Sequence, residues 1–415
     1  MAVKGNAVYA QSGGVTSVIN ASAYGVIKAA QQSGFIENIY AGLYGINGIL
    51  EENLIDIKQE APEAIEGLRY TPSAAFGSCR RKLGDLQKHR EQFERLIQVF
   101  KAHNIRYFFY NGGNDSMDTA YKVSRVSKEL GYEVIAIGVP KTVDNDLPET
   151  DNCPGYGSVA KYNAVSIREG SLDVESMHRD STKVFVMESM GRHAGWIVGA
   201  TGLAAVTEKD GPHIILFPER IFNEDLFLSK VEETVAKIGF CVVAVSEGVR
   251  RPDGTFLADS GLRDAFGHAQ LGGAALEISK MIMNKLKLKV HTAILDYCQR
   301  SGRHIASKTD VEQAIACGRK AVELAAEGKN GFMPIIVRDS DNPYKWHIGE
   351  TDIANIANKE KPVPDEFIRE DGFHITDAFR RYALPLIEGE DYPPYVNGLP
   401  AYVRLKNLLI PKKLS

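Results

Sequence analysis

A chain of 415 residues is too long for one small core, and its 44% hydrophobic and 25% charged residues are ordinary for a globular enzyme of two or three domains. A net charge of −4 gives no sign of a polyanion-binding surface as a whole and leaves room for a local basic pocket, which is all that phosphate substrates need. No apolar run of about 18 residues marks a membrane span, Met1–Ala10 lacks the order of a secretory signal, and five scattered cysteines read as reduced thiols of a cytoplasmic chain, not as a disulfide or zinc framework.

Ala7–Ala10 predicts the first strand, followed by the turn Gln11-Ser12-Gly13-Gly14 and a helix from about Val15 to Gln32. The glycine pair lets backbone N–H groups approach an anion at a helix start, although turn geometry alone would also select glycine. No G-x-x-x-x-G-K-[ST] occurs, so the turn is not a P-loop. In Gly77-Ser78-Cys79-Arg80-Arg81-Lys82 the adjacent cations suit a phosphate clamp or, equally, a solvated basic turn. Phe93–His103 has helical spacing, and a strand at Arg106–Tyr110 runs into Asn111-Gly112-Gly113-Asn114-Asp115-Ser116. Ser116 suits a helix cap there, but paired glycines followed by two oxygen-bearing side chains exceed what a cap requires.

A β-rich run, Glu133–Val139, leads to the most specific motif, Pro140-Lys141-Thr142-Val143-Asp144-Asn145-Asp146. Paired carboxylates beside a lysine do not suit a core. One suits removal of a hydroxyl proton, the other a hydrated Mg²⁺, and the lysine suits charge on a transferring phosphoryl group. An acidic turn is the plainer alternative. Further strands are expected at Lys183–Met187, His213–Phe217 and Cys241–Val245, with helices at Ala194–Ala205 and Leu226–Ile238. Met190-Gly191-Arg192, Ser246-Glu247-Gly248 and Tyr297-Cys298-Gln299-Arg300 each follow or interrupt an apolar segment. An arginine suits phosphate and a glutamate suits sugar hydroxyls, yet Arg192 and Glu247 equally suit a structural ion pair. Arg250–Gly273 reads as a surface excursion and Asp339–Asp371 as a loop-rich C-terminal extension. The alternation predicts an α/β fold with parallel sheets whose ligands sit at the carboxyl ends of strands.

In this order, from Tyr9 to Arg319, the motifs resemble the phosphofructokinase family, and within it the pyrophosphate-dependent members. The resemblance implies two Rossmann-like three-layer α/β domains with the active site in the cleft between them. Residues 1–155, with a returning helix near 305–330, would take the phosphoryl donor. Residues 156–304 would take fructose 6-phosphate, and 331–415 would form an extension packing on the second domain. The implied activity is reversible, Mg²⁺-dependent phosphoryl transfer from pyrophosphate to the C1 hydroxyl of fructose 6-phosphate in glycolysis. The implied protein is cytoplasmic, a homodimer or homotetramer, with no nucleic-acid or membrane partner.

Carried onto matching positions, the resemblance makes Asp144 the general base, with Thr142 at the reacting end and Lys141 against the transferred charge. Gly13, Gly14, Arg80, Asp115 and Lys141 would bind pyrophosphate. Asp146 and Asn114 would serve Mg²⁺, Asn114 standing where the family usually has aspartate. Thr142, Val143, Asp144, Met190, Gly191, Arg192, Glu247, Tyr297, Cys298, Gln299 and Arg300 would line the sugar-phosphate site. Lys183, an arginine in ATP-using members, would meet the 6-phosphate, often from a neighbouring subunit. ATP-using members have glycine at the places of Asp115 and Lys141. Side chains there would occlude a nucleotide's α-phosphate and admit only the shorter donor. The alternatives are an ATP-dependent phosphofructokinase, an enzyme that also accepts sedoheptulose 7-phosphate, and a non-catalytic sugar-phosphate-binding regulatory subunit.

Overall fold

A computed structural model describes residues 2–263 and 269–414. The chain first runs through β1 (Gly5–Ser12), α1 (Ile19–Gln32), β2 (Ile36–Gly42), α2 (Ile46–Leu50), β3 (Leu54–Asp56), α3 (Pro62–Gly67), β4 (Ser78–Cys79), α4 (Arg90–Ala102), β5 (Ile105–Gly112), α5 (Asn114–Glu129) and β6 (Ile135–Pro140). It crosses over through α6 (Tyr156–Met177) to β7 (Val184–Ser189), α7 (Trp196–Ala200), β8 (Ile214–Leu216), α8 (Glu224–Ile238), β9 (Cys241–Ser246), the antiparallel pair β10 (Asp259–Arg263) and β11 (Ala269–Leu271), α9 (Ala274–Leu286), β12 (Val290–Ile294) and α10 (Asp296–Ser301). It returns through α11 (Lys308–Ala326), β13 (Phe332–Asp341), β14 (Tyr344–Asp352) and α12 (Asp377–Ala383).

The first sheet orders its strands β14–β13–β6–β5–β1–β2–β3, with β4 beside β1. Its centre is parallel, and β13 joins β6 in parallel before β14 turns back antiparallel. Alternating side chains sort β1 and β5 between two helical layers. Val8, Ala10, Phe108 and Tyr110 pack with Phe93 and Phe100 of α4 and Met117 and Val123 of α5. Ala7, Tyr9, Tyr107 and Phe109 pack with Val26 and Ile27 of α1 and Leu324 of α11. Each large side chain so buried stabilises the fold by roughly 1.5–3 kcal/mol. α1 and α11 meet backbone to backbone: a methyl group on Gly25 would lie 2.3 Å from Ile315 O, and one on Gly318 would lie 2.2 Å from Ser22 O. That contact locks α11 onto the first sheet despite its distance in sequence.

The second sheet, β12–β7–β9–β8, is parallel throughout. Met187, Val242 and Ala244 face α6 and α7, where Tyr156, Ile167 and Trp196 wait. Val186, Val243 and Val245 face Phe227 of α8 and Ile278 of α9. α8 starts where the Asn223 side chain accepts from Leu226 N and stops at Gly239, φ 100°. The two three-layer α/β units implied by the resemblance are therefore present. One carboxylate ties crossover to return: Asp310, at the start of α11, accepts from Gly155 N (2.8 Å), Ser158 N (3.0 Å) and Ser158 Oγ (2.6 Å) at the start of α6.

Several expectations change. α1 starts at Ile19, not Val15, because Thr16 Oγ1 accepts from Val18 N and holds the preceding residues in a turn. α5 starts at Asn114 behind Gly113, so Ser116 sits inside its first turn and does not cap it. Asp339–Asp371 is loop-rich only beyond Asp352, since its first part belongs to the hairpin of β13 and β14. The extension 331–415 does not pack on the second unit alone. β13 covers the outer edge of β6, which would otherwise expose unpaired backbone. α12 buries Phe379 against Trp196 of the second unit, and the tail returns to the first, where Ile410 N donates to Leu54 O at 2.9 Å. Of the stretch Arg250–Gly273, residues 264–268 lie outside the described residues. Among the described residues, no helix is long and apolar enough to cross a membrane.

Candidate active site

A cleft of about 1090 Å³ opens where the carboxyl ends of both sheets face each other. Its first wall is the Gly13–Gly14 turn. Ser78 Oγ donates to Gly13 O (2.8 Å) and Gly13 N to Cys79 O (3.0 Å), so β4 holds the turn and delivers Arg80 beside it. Gly13 has φ 77°, a region that favours glycine. Gln11 is a buried pin, donating to Asn20 Oδ1 and accepting from Phe76 N. Lys141, only 3% exposed, donates from Nζ to Gly14 O at 2.6 Å. A methyl group on Gly14 would lie 3.3 Å from Arg300 Nη1 and 3.6 Å from Arg80 Nη2. Cations from three separate segments thus crowd one turn.

The motif after β6 forms the floor. Thr142 N donates to Pro154 O (3.3 Å), and Thr142 Oγ1 accepts from Asp144 N (3.0 Å). Buried Asn145 donates to Tyr382 OH (2.8 Å) and accepts from Cys153 N (2.9 Å). With Asn145 pinned inward, Asp144 and Asp146 on either side of it line the cleft. Across the cleft, Gln299 Oε1 accepts from Asn163 Nδ2 (3.1 Å) and Met190 N (3.2 Å). Gly191 N donates to Glu247 Oε1 (3.3 Å), and Gly191 O accepts from Ser246 Oγ (2.6 Å). Arg300 lies over the Tyr297 ring at 3.8 Å. Glu188 accepts from Ala275 N (2.9 Å) and Gly273 N (3.0 Å) at the start of α9.

Burial is the first cause of each strong electrostatic shift in the cleft. It pulls Lys141 down from 10.5 to about 8, with Asp144 opposing and Arg300 and Arg80 assisting. It raises Asp144, against Lys141, Arg192, His193 and Arg300. It raises Asp146, with added repulsion from Asp144 and Glu360, and it pushes Glu247 up to about 7. Asp144 and Asp146 nonetheless keep partial contact with cleft solvent. Buried polar atoms are normally paired. Among the described residues, the cleft side chains with an unpartnered buried polar atom are Asn114 (Oδ1), Arg192 (Nε) and Gln299 (Nε2). An acceptor on one side and two donors on the other are what a bound cation and an anionic ligand would complete. No cluster of three or more His, Cys, Asp or Glu suited to a metal occurs among the described residues. Asp146 and the free Asn114 oxygen still fit a hard cation that keeps its waters and takes phosphate oxygens.

Gly13, Gly14, Arg80, Asn114, Asp115, Lys141, Thr142, Val143, Asp144, Asp146, Met190, Arg192, Glu247, Tyr297, Gln299 and Arg300 line this cleft. Gly191 lies behind it, between Glu247 and Ser246. Cys298, on α10 beside buried Gln299, is not among the lining residues, and it is exposed. Lys183 does not reach the cleft either. It precedes β7 at the end remote from Met190, roughly 20 Å away along the strand, and its Nζ donates to Arg179 O at 3.4 Å. Asp115 is no bare wall, since Lys82 Nζ lies 2.8 Å from its Oδ1. Sequence reasoning missed Glu188, Ser189, His193, Asp296, Asn358 and Glu360, all lining residues. Polar residues ending the apolar run Val184–Met187 signal Glu188 and Ser189; nothing local signals Asn358 or Glu360.

Residues 6–325 match the family model described as Phosphofructokinase. The chain is 59% identical over 410 residues to the pyrophosphate–fructose 6-phosphate 1-phosphotransferase of Halomonas elongata, covering 99% of this chain and 98% of that one. It is 59% identical over 411 residues to the protein of the same name from Methylococcus capsulatus, with the same coverage. The crystal structure of pyrophosphate-dependent phosphofructokinase from Nitrosospira multiformis superposes with a TM-score of 0.92 at 58% identity, covering 99% of this chain and 98% of that one.

Proposed function

The chain belongs to the phosphofructokinase family, and on that premise we propose that it transfers a phosphoryl group reversibly from pyrophosphate to the C1 hydroxyl of fructose 6-phosphate, yielding fructose 1,6-bisphosphate and phosphate as a step of glycolysis. The observation that carries this reading is Lys141. A buried ammonium pressed to 2.6 Å from Gly14 O fills space beside the glycine turn. A donor with an extra phosphate and a nucleoside would have to displace it; the shorter donor gains its charge.

In this reading residues 1–155, with α11, form the donor side and 156–304 the sugar-phosphate side. Asp144 accepts the hydroxyl proton. Burial lifts its pKa, while the surrounding cations oppose the rise and favour the ionised form that a base needs. Thr142 Oγ1 already accepts from Asp144 N, so its own proton is available to an oxygen of the transferring group. Lys141, Arg80 and Arg300 bring fixed positive charge to the path of that group. The unpaired Arg192 Nε and Gln299 Nε2 donate to the sugar phosphate. Asp146 and Asn114 hold Mg²⁺, which when bound neutralises charge on the donor's phosphate oxygens. Lys183, outside its own chain's cleft, serves a neighbouring copy in a homodimer or homotetramer. The free cysteines support a cytoplasmic setting.

The test is an assay of purified protein with Mg²⁺ and fructose 6-phosphate, comparing pyrophosphate, ATP and no donor. Bisphosphate formed from pyrophosphate alone is expected. Equal or faster turnover with ATP overturns the donor assignment, and binding without turnover under either donor overturns the enzymatic one.

A further inference from the structure

Asp115 puts a carboxylate on the wall of a cleft that takes a polyanionic donor, and a bare charge there would repel the donor as well as exclude its rivals. Lys82 covers it, with Nζ 2.8 Å from Asp115 Oδ1. The ammonium also donates to Asn358 Oδ1 at 3.3 Å. Asn358 Nδ2 donates in turn to Asp118 Oδ1 at 3.2 Å, and Asp118 Oδ2 accepts from Lys122 Nζ at 2.7 Å. Lys122 Nζ closes the ring on Leu83 O, next to Lys82, at 3.2 Å. The ring joins the loop after β4, the first turns of α5 and a residue 276 positions beyond Lys82.

Asn358 is presented rigidly. Its backbone is left-handed at φ 59°, which asparagine tolerates. Ile353 and Ile356 anchor the segment in the first core from one side. From the other, Lys361 Nζ donates to Thr150 O and Asp151 O, both at 2.9 Å. The Lys82–Asp115 pair is 44% and 43% exposed, so it adds little to global stability.

We propose that Lys82, held by Asn358 of the C-terminal extension, is a positioning residue of the donor site: it neutralises and aims the Asp115 carboxylate, so that the wall blocks a longer donor without repelling pyrophosphate. The inference rests on the donor reading above. Lys82 does not line the cleft and acts only through Asp115.

Steady-state kinetics on the full chain test it with Lys82→Met, Lys82→Arg, Asn358→Ala, Asp115→Asn and the pair Lys82→Met with Asp115→Asn. One uncovered unit charge about 5 Å from the donor, at an effective dielectric near 50, predicts a rise of about tenfold in KM for pyrophosphate in Lys82→Met. kcat and KM for fructose 6-phosphate stay within about twofold of the parent. Lys82→Arg restores the donor KM, and Asn358→Ala shifts it by about threefold in the same direction. The double variant recovers toward the parent, because no carboxylate is left to cover; an additive structural loss would not do this. An unmoved donor KM in Lys82→Met, a defect shared by kcat and the sugar KM, or a double variant no better than Lys82→Met overturns the inference. If the parent protein does not turn over pyrophosphate at all, the donor reading itself falls. Parent turnover with an unmoved KM in Lys82→Met defeats the present inference alone.

Discussion

Lys141→Met keeps an unbranched stem of similar length and removes one buried charge. An ammonium about 4 Å from a phosphoryl oxygen, at an effective dielectric of about 20, contributes about 4 kcal/mol. Lost from the transition state, that is about a thousandfold in kcat/KM for pyrophosphate. Stability should move the other way. Burial holds the Lys141 pKa near 8 instead of 10.5, which costs the folded state on the order of 3 kcal/mol at neutral pH. The bond to Gly14 O returns about 1 kcal/mol of that. The variant should therefore be more stable than the parent by about 2 kcal/mol at pH 7. The sign follows from proton binding. Between about pH 8 and 10.5 the unfolded lysine holds a proton that the folded one has shed, so the parent gains stability as pH rises through that window and the advantage of the variant disappears. A coupled assay of fructose 6-phosphate phosphorylation gives the first quantity, and urea unfolding at pH 7 and pH 10 gives the second. A loss of less than about tenfold in kcat/KM, or a variant less stable than the parent at pH 7, refutes the reasoning.

The pH profile of kcat/KM for pyrophosphate should be bell-shaped. Its acid limb arises from Asp144 and from Glu247, the latter near 7, and its basic limb from Lys141 near 8; Lys141→Met should abolish the basic limb and, by removing a cation that holds Asp144 down, move the acid limb to higher pH, as read from initial rates across the range. Gly318→Ala places a methyl group 2.2 Å from Ser22 O, so α1 and α11 must separate. The cost should be about 1–3 kcal/mol in denaturant unfolding, and an unchanged midpoint would contradict the close packing.

Legibility in the sequence follows distance along the chain. Gly13, Gly14, Asn114, Asp115 and the motif from Lys141 to Asp146 each sit within a few residues of a strand's end, so local pattern and the carboxyl-end rule place them together. Arg80 and Arg300 are legible as cations but not as neighbours. Only the crowding of both against Gly14 shows what they share. Asn145 sits between two carboxylates and resembles them in the sequence, yet it is the buried pin that turns them outward. β12 escaped notice because His291 and Thr292 break its apolar run, while its place at the sheet's edge tolerates them. Asn358 and Glu360 carry no local signal. Their position depends on β13 and β14 first joining a sheet whose other strands were laid down far earlier in the chain.

That last pairing also sets a timetable. At roughly 5–20 residues per second, the roughly 190 residues between Pro140 and Phe332 take about 10–40 s to emerge from the ribosome. Through that interval the outer edge of β6 lacks its β13 partner, while every strand of the second sheet is translated. The unit written first is thus completed only after every strand of the second sheet has been made.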